Sequence, residues 1–158
     1  MRSMRSVSTI TLVTMWLGGF AACSSVLLNT PVSKTADGWS ITLAQVKDAP
    51  DEYVGEGGVL VAPGDDQKLI WATVTVQSSL TQEETFSWDT CVLAGKGESR
   101  PPSVVARHAE EVNTSADRAE TFAPGQDRSR LLVYTYPKDQ RPTALKCGTI
   151  VLPIPGPR

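Results

Sequence analysis

Lys68 to Gln77 constrains this chain more than any other stretch. Ile70, Ala72, Val74 and Val76 alternate with Leu69, Trp71, Thr73 and Thr75, so both faces of an extended strand are bulky and β-favouring. A strand covered on both faces lies in the middle of its sheet, and the rest of the chain has to supply the cover. Trp39, Ile41 and Leu43 alternate with Ser40, Thr42 and Ala44, the period of a half-buried first strand. Thr85 to Leu93 reads as a third strand with Phe86, Trp88 and Val92 on one face. Cys91 falls on the opposite parity, which puts it on the outer face or behind a bulge. Arg128 to Tyr136 places Leu132, Tyr134 and Tyr136 on one side, with Leu131 and Val133 on the other. Val59 to Val61 and Ser103 to Arg107 are candidates for short strands, the latter at an edge, and Thr143 to Leu152 reads as the final strand.

No stretch beyond the first 22 residues shows helical periodicity over ten or more positions. Short strands separated by turns rich in Gly, Pro and Asp imply an all-β chain, an immunoglobulin-like two-sheet antiparallel β-sandwich of about seven strands. The loop 47–64 contains Gly57-Gly58 and Pro63-Gly64, which mark turns. Residues 108–118 are polar and read as a long loop or a helical turn.

The beginning of the chain is an address. Arg2 and Arg5 precede a charge-free run, Val7 to Phe20, that ends Leu17-Gly-Gly-Phe-Ala-Ala-Cys23. The run is too short for a stable membrane span and has the proportions of a secretory signal. Its end resembles a bacterial lipobox, with Phe20 where that pattern usually has Leu. The resemblance implies a signal peptide over 1–22, acylation of Cys23 by palmitate-like chains, and attachment to a membrane. Ordinary cleavage after Ala21 or Ala22 leaves Cys23 as a spare thiol instead. Ser24 is not the aspartate that retains enterobacterial lipoproteins at the inner membrane, so the expected location is the bacterial cell envelope, at the outer membrane if the host has one.

Domain boundaries follow: a lipidated tether over 23–37, the sandwich over 38–153 and a Pro-rich tail over 154–158. Loss of 1–22 leaves 13 of the 15 basic residues against all 17 acidic ones, a net charge of −4. That balance disfavours nucleic acid or an anionic membrane face as a direct partner, so membrane attachment is expected from the acyl chains alone. With Cys23 assigned to the anchor, Cys91 and Cys147 form an even pair in an oxidising compartment and are expected to be bridged. Closing so long a loop stabilises a fold by up to about 4 kcal/mol.

Trp39-Ser-Ile-Thr-Leu, Lys68-Leu-Ile-Trp-Ala-Thr-Val-Thr-Val76 and Phe122-Ala-Pro-Gly125 leading to Leu131-Leu-Val-Tyr-Thr-Tyr-Pro-Lys138 resemble the immunoglobulin-like domain of unassigned function common in exported bacterial lipoproteins. The resemblance spans about residues 37–152. Ser78 stands where that family often has Asn, and 103–121 has no clear counterpart. It implies a fold and an exported location, and it brings no catalytic residues.

His108 is the single histidine; a serine–histidine–carboxylate arrangement with Glu110 or Asp117 is formally possible, but a solvated loop histidine is the better reading. Asp48, Asp51, Glu52 and Glu56, with Asp65 and Asp66 beyond, carry oxygen ligands of the kind Ca²⁺ takes, without EF-hand spacing. A solvated acidic loop accounts for them, and Glu83-Glu84 reads as a hairpin end. No catalytic residue, metal ligand or cofactor is therefore assigned. The aromatic side chains at alternating positions read as core, except that Trp71, beside Leu69 and two threonines, is a candidate exposed contact for a protein partner. The expected function is a lipid-anchored, non-enzymatic envelope protein, a binding or structural accessory module working through its loops 47–64 and 95–121. The alternative is a carrier of a small ligand or Ca²⁺.

Overall fold

The computed structural model describes residues 25–49, 53–54, 60–61, 63–107 and 114–156. The strands in chain order are β1 (Val26–Leu28), β2 (Val32–Ala36), β3 (Trp39–Asp48), β4 (Tyr53–Val54), β5 (Leu60–Val61), β6 (Gln67–Ser78), β7 (Glu84–Ser87) and β8 (Cys91–Gly95). They continue with β9 (Ser99–Arg100), β10 (Val104–Arg107), β11 (Thr114–Ser115), β12 (Ala119–Phe122), β13 (Asp127–Pro137), β14 (Pro142–Cys147) and β15 (Ile150–Pro153). The chain forms the expected all-β, two-sheet antiparallel sandwich. One sheet runs β1-β3-β6-β13-β10-β11, with β2 also on β3, and the other runs β15-β14-β8-β9. Two short ladders, β7 with β12 and β4 with β5, complete the pairing.

As its two bulky faces require, β6 is central, between β3 and β13. Ile70, Ala72, Val74 and Val76 enter the main core with Leu132, Tyr134 and Tyr136 from β13. The odd residues face outward, where Leu69, Leu131 and Val133 form a second, smaller buried cluster. In β3 the alternation stops at Ala44 because the ladder to β6 slips between Leu43 and Gln45. An extra residue there re-phases the strand, so Val46 joins Ile41 and Leu43 inside.

Five expectations are corrected. Val26–Leu28 and Val32–Ala36, expected in a tether, are strands. Both β1 and β2 pair with β3, and Leu27 and Leu28 are in the core. At the other end Ile154, expected in the tail, is also buried. The single strand expected over 85–93 is two strands separated by a 3₁₀ turn, Trp88–Thr90. This turn moves the chain from β12 as partner to β14 and shifts the parity, so Cys91 and Leu93 point inward. The final strand is likewise a hairpin, with Gly148 at φ 58° in the turn between β14 and β15. Val104–Arg107 is not the edge, because β11 pairs outside it.

Cys91 and Cys147 are bridged. They stand opposite one another on β8 and β14 and are both buried, so the bridge ties neighbours within one sheet. The two sheets are joined instead by Tyr134, whose hydroxyl donates to the Cys91 carbonyl at 2.7 Å. Full burial pushes the Tyr134 hydroxyl well above the ordinary tyrosine range.

One buried carboxylate is held by three donors. Glu120 accepts from Trp88 Nε1 at 2.8 Å, from Arg128 at 3.2 Å and from Arg130, and the Arg130 guanidinium also lies over the Trp88 ring. Burial alone raises the Glu120 carboxyl, but the hydrogen bonds from Arg130 and Trp88 and the two guanidinium charges outweigh it. The net direction is below the ordinary value of 4.5.

Two outcomes follow from these contacts. Reduction of the Cys91–Cys147 bridge lowers unfolding free energy by about 2–4 kcal/mol, read by denaturant titration with and without reductant; a non-reducing peptide map shows the two cysteines linked. Because the Glu120 carboxyl is depressed in the folded state, its contribution is intact above the unfolded value and is lost as pH falls through the folded one. Wild-type protein therefore loses stability below about pH 4.5. Glu120→Ala flattens that limb and, by leaving the half-buried Arg130 and the Trp88 Nε1 without their acceptor, costs about 1–3 kcal/mol at neutral pH.

Candidate functional site

The polar Ala36-Asp-Gly-Trp39 link is a two-residue hairpin turn between β2 and β3, with Asp37 at φ 52° and Gly38 at φ 78°. Positive φ at both central residues is the turn that suits the strand twist, and Asp-Gly is its usual composition. A side chain at Gly38 would also collide with Leu80, whose Cδ2 lies 2.2 Å from the Cβ position. Opposite this hairpin, the β14–β15 turn brings Thr149 to it, and the Thr149 hydroxyl donates to the Asp37 carboxylate.

A cleft of about 250 Å³ opens between these turns and β7. Trp39 and Phe86 form its aromatic walls, Ile41, Ile150 and Cys147 its floor, and Asp37, Thr85, Thr90 and Thr149 contribute to its polar rim. Trp39 is held edge-on by Phe86 and Phe122, with ring centroids 5.1 and 5.4 Å away, and Phe86 leans on Trp88 at 5.2 Å. The walls are therefore rigid. Trp39 itself is half-buried, the condition of an aromatic ring with one face in the core and one toward the cleft. An apolar slot with hydroxyls and an exposed carboxylate at its mouth suits non-covalent capture of a small apolar group bearing hydrogen-bond donors. Its volume is below the roughly 300–1,000 Å³ of sites for drug-sized ligands, and matches one or two amino-acid side chains better.

The residues singled out from sequence are dispersed. Cys23, Asp51, Glu52, Glu56, His108 and Glu110 lie outside the described residues. Asp48 is engaged at the opposite end of β3, where Ser25 Oγ donates to it at 2.8 Å and Lys68 Nζ stands at 3.3 Å. Asp65, Asp66, Glu83, Glu84 and Asp117 are exposed, and among the described residues no three His, Cys, Asp or Glu side chains group as metal ligands do. Trp71 is half-buried. Its ring packs with Ala49 and Val104 against the outer cluster of the large sheet, with the Lys47 ammonium 5.0 Å from its centroid. The aromatics expected in the core are there: Phe86, Trp88, Phe122, Tyr134 and Tyr136 are buried. In the 95–121 stretch, Arg118 ties the 3₁₀ turn to the chain before β10. It donates to Asp89, to the Pro102 carbonyl at 3.2 Å and to the Ser103 carbonyl at 2.9 Å. At the end of β8, Tyr136 lies under Gly95, and a Cβ at that glycine would fall 2.0 Å from the Tyr136 hydroxyl.

The cleft was not foreseen, because its walls come from three separated stretches. The one local signal was Asp37-Gly38 between Val32–Ala36 and Trp39–Leu43.

No family model matches the chain, and no curated protein matches it. Among solved structures it is similar to an uncharacterised β-sandwich protein from Clostridium difficile 630, at 8% identity and a TM-score of 0.51, over 76% of this chain and 86% of that one. It also matches a functionally unknown protein from Listeria monocytogenes EGD-e at 12% identity and a TM-score of 0.49, over 73% of this chain and 68% of that one. At such identities the first likeness speaks to fold alone: the chain shares a β-sandwich architecture with a protein of unknown function.

Proposed function

We propose that this chain is a lipid-anchored, non-enzymatic protein of the bacterial cell envelope that binds a protein partner through the cleft at the Asp37–Gly38 end of its sandwich. The observation that carries the binding role is the half-buried Trp39, held rigid by Phe86 and Phe122 at the wall of an open apolar slot. Rigid aromatic walls give up little conformational entropy on binding, and aromatic side chains carry a large share of interface energy. The anchoring role is supported by the charge-free run that ends Phe20-Ala-Ala-Cys23. The size of the slot favours a protruding side chain of a partner over a diffusible ligand.

Each half of the proposal has its own outcome. In a native host, a fatty-acid analogue labels the wild type and Cys23→Ala abolishes the label; an unlabelled wild type contradicts the anchor. A photo-cross-linking residue in place of Thr85, at the rim, yields a discrete adduct in intact cells. Thr149→Arg, which fills the mouth of the cleft, removes that adduct while leaving the fold and the lipid label unchanged. No adduct, or one that survives Thr149→Arg, contradicts binding at this cleft.

A further inference from the structure

We infer that the pole of the sandwich opposite the cleft, where Ser25 meets Asp48, is a lipid-facing surface pressed against the headgroups of the membrane that holds Cys23. The inference rests on the proposed anchoring and adds what the fold does with it. Ser25 is not part of a free leader. The Asp48 amide donates to the Ser25 carbonyl at 2.9 Å, and the Ser25 hydroxyl donates to the Asp48 carboxylate at 2.8 Å. Val26 then pairs directly with Lys47.

Only Ser24 lies between Cys23 and this fixed residue. Two extended residues reach at most about 7 Å. Acyl chains on Cys23 occupy the hydrocarbon and leave its backbone among the headgroups. That layer is roughly 5–8 Å thick in each leaflet, from the difference between the bilayer's full thickness and its core. Reach and layer thickness are equal within error, so Ser25 is held at the headgroup surface and the pole around it cannot stand clear.

The side chains at this pole suit that position. Val26 is 53% exposed, a large apolar side chain open at the surface, and Lys47 and Lys68 flank it with their ammonium groups held on the Trp71 ring and on Asp48, so this pole carries little free charge to repel a headgroup layer. The cleft is at the other end. Trp39 and Asp48 bound β3, and ten residues at about 3.3 Å each set the two poles roughly 30 Å apart. The anchor thereby aims the cleft away from the membrane.

The test uses the full chain, purified in its acylated form and reconstituted into phosphatidylcholine vesicles with a headgroup-attached quencher. Because Cys23 is acylated and Cys91 is bonded to Cys147, Val26→Cys or Gln82→Cys offers one thiol to a fluorophore. Gln82 is exposed and lies between β6 and β7 at the cleft end. Strong quenching at position 26 with little at position 82 is expected. A flexible Gly/Ser insert of about 12 residues after Ser24, with an r.m.s. reach of about 20 Å, equalises the two. Equal quenching without the insert overturns the apposition, and asymmetry that persists with it overturns the argument from reach. The intact mass separates this from the anchor: acyl chains present with equal quenching defeat the apposition alone, whereas protein lacking acyl chains defeats both.

Discussion

A strand edge in a two-layered sheet exposes a row of amides and carbonyls that have to be paired or covered, and the outer edge of β3 is where this protein meets that constraint. The strand is bulged at Ala44, so no single straight partner can follow it. Two short strands do so in succession: β1 takes Val46 and Lys47 beyond the bulge, and β2 takes Trp39 to Leu43 before it. Pro31, with no amide to donate, lies between them where pairing is interrupted. The rest follows from that split edge. Its first half fixes Ser25 at one pole, its second half ends in the Asp37–Gly38 turn at the other, and the cleft forms beside that turn.

The second layer is held against the first at one place above all. The 3₁₀ turn Trp88–Thr90 carries the chain between ladders and delivers Cys91 to the interior, where its side chain bonds to Cys147 and its carbonyl accepts from Tyr134. The Trp88 ring meanwhile closes over the Glu120–Arg130 pair. A buried ion pair of this kind contributes little net stability against an apolar replacement. What it supplies is a fixed position for Trp88, and through the contact with Phe86 a fixed wall for the cleft.

Much of the fold was legible where one period ran undisturbed. In β6 and β13 every residue assigned to the core face from alternation is on that face, because both are long, central and paired along their length. Legibility failed where a single residue changed the phase. The bulge at Ala44 and the turn at 88–90 each invert the parity without any change in composition, so the sequence left Cys91 either outward or behind an irregularity, and the 3₁₀ turn is that irregularity. The strands over 26–36 were missed for another reason. Ser33, Lys34 and Thr35 are exposed and carry no apolar alternation, and the Asp37-Gly38 pair that marks them as half of a hairpin was read as part of the tether. The outer face of the large sheet is not simply a solvent face, since Leu69, Leu131 and Val133 are buried on it around a half-buried Trp71. The cleft belongs to tertiary structure: residues near 37, 86 and 149 carry no mutual signal in the chain.

The central claim is that the folded domain begins at Ser25, with no flexible tether behind Cys23, and it is tested most directly by native-state hydrogen exchange on protein beginning at Ser24. The Asp48 amide, which donates to the Ser25 carbonyl, and the amides of Val26–Leu28 and Val32–Ala36 that pair with β3 should exchange far more slowly than unstructured chain, in one cooperative unit with the β3 amides they face. Exchange of these segments at unstructured rates while β6 and β13 stay protected would restore the tether and contradict the account.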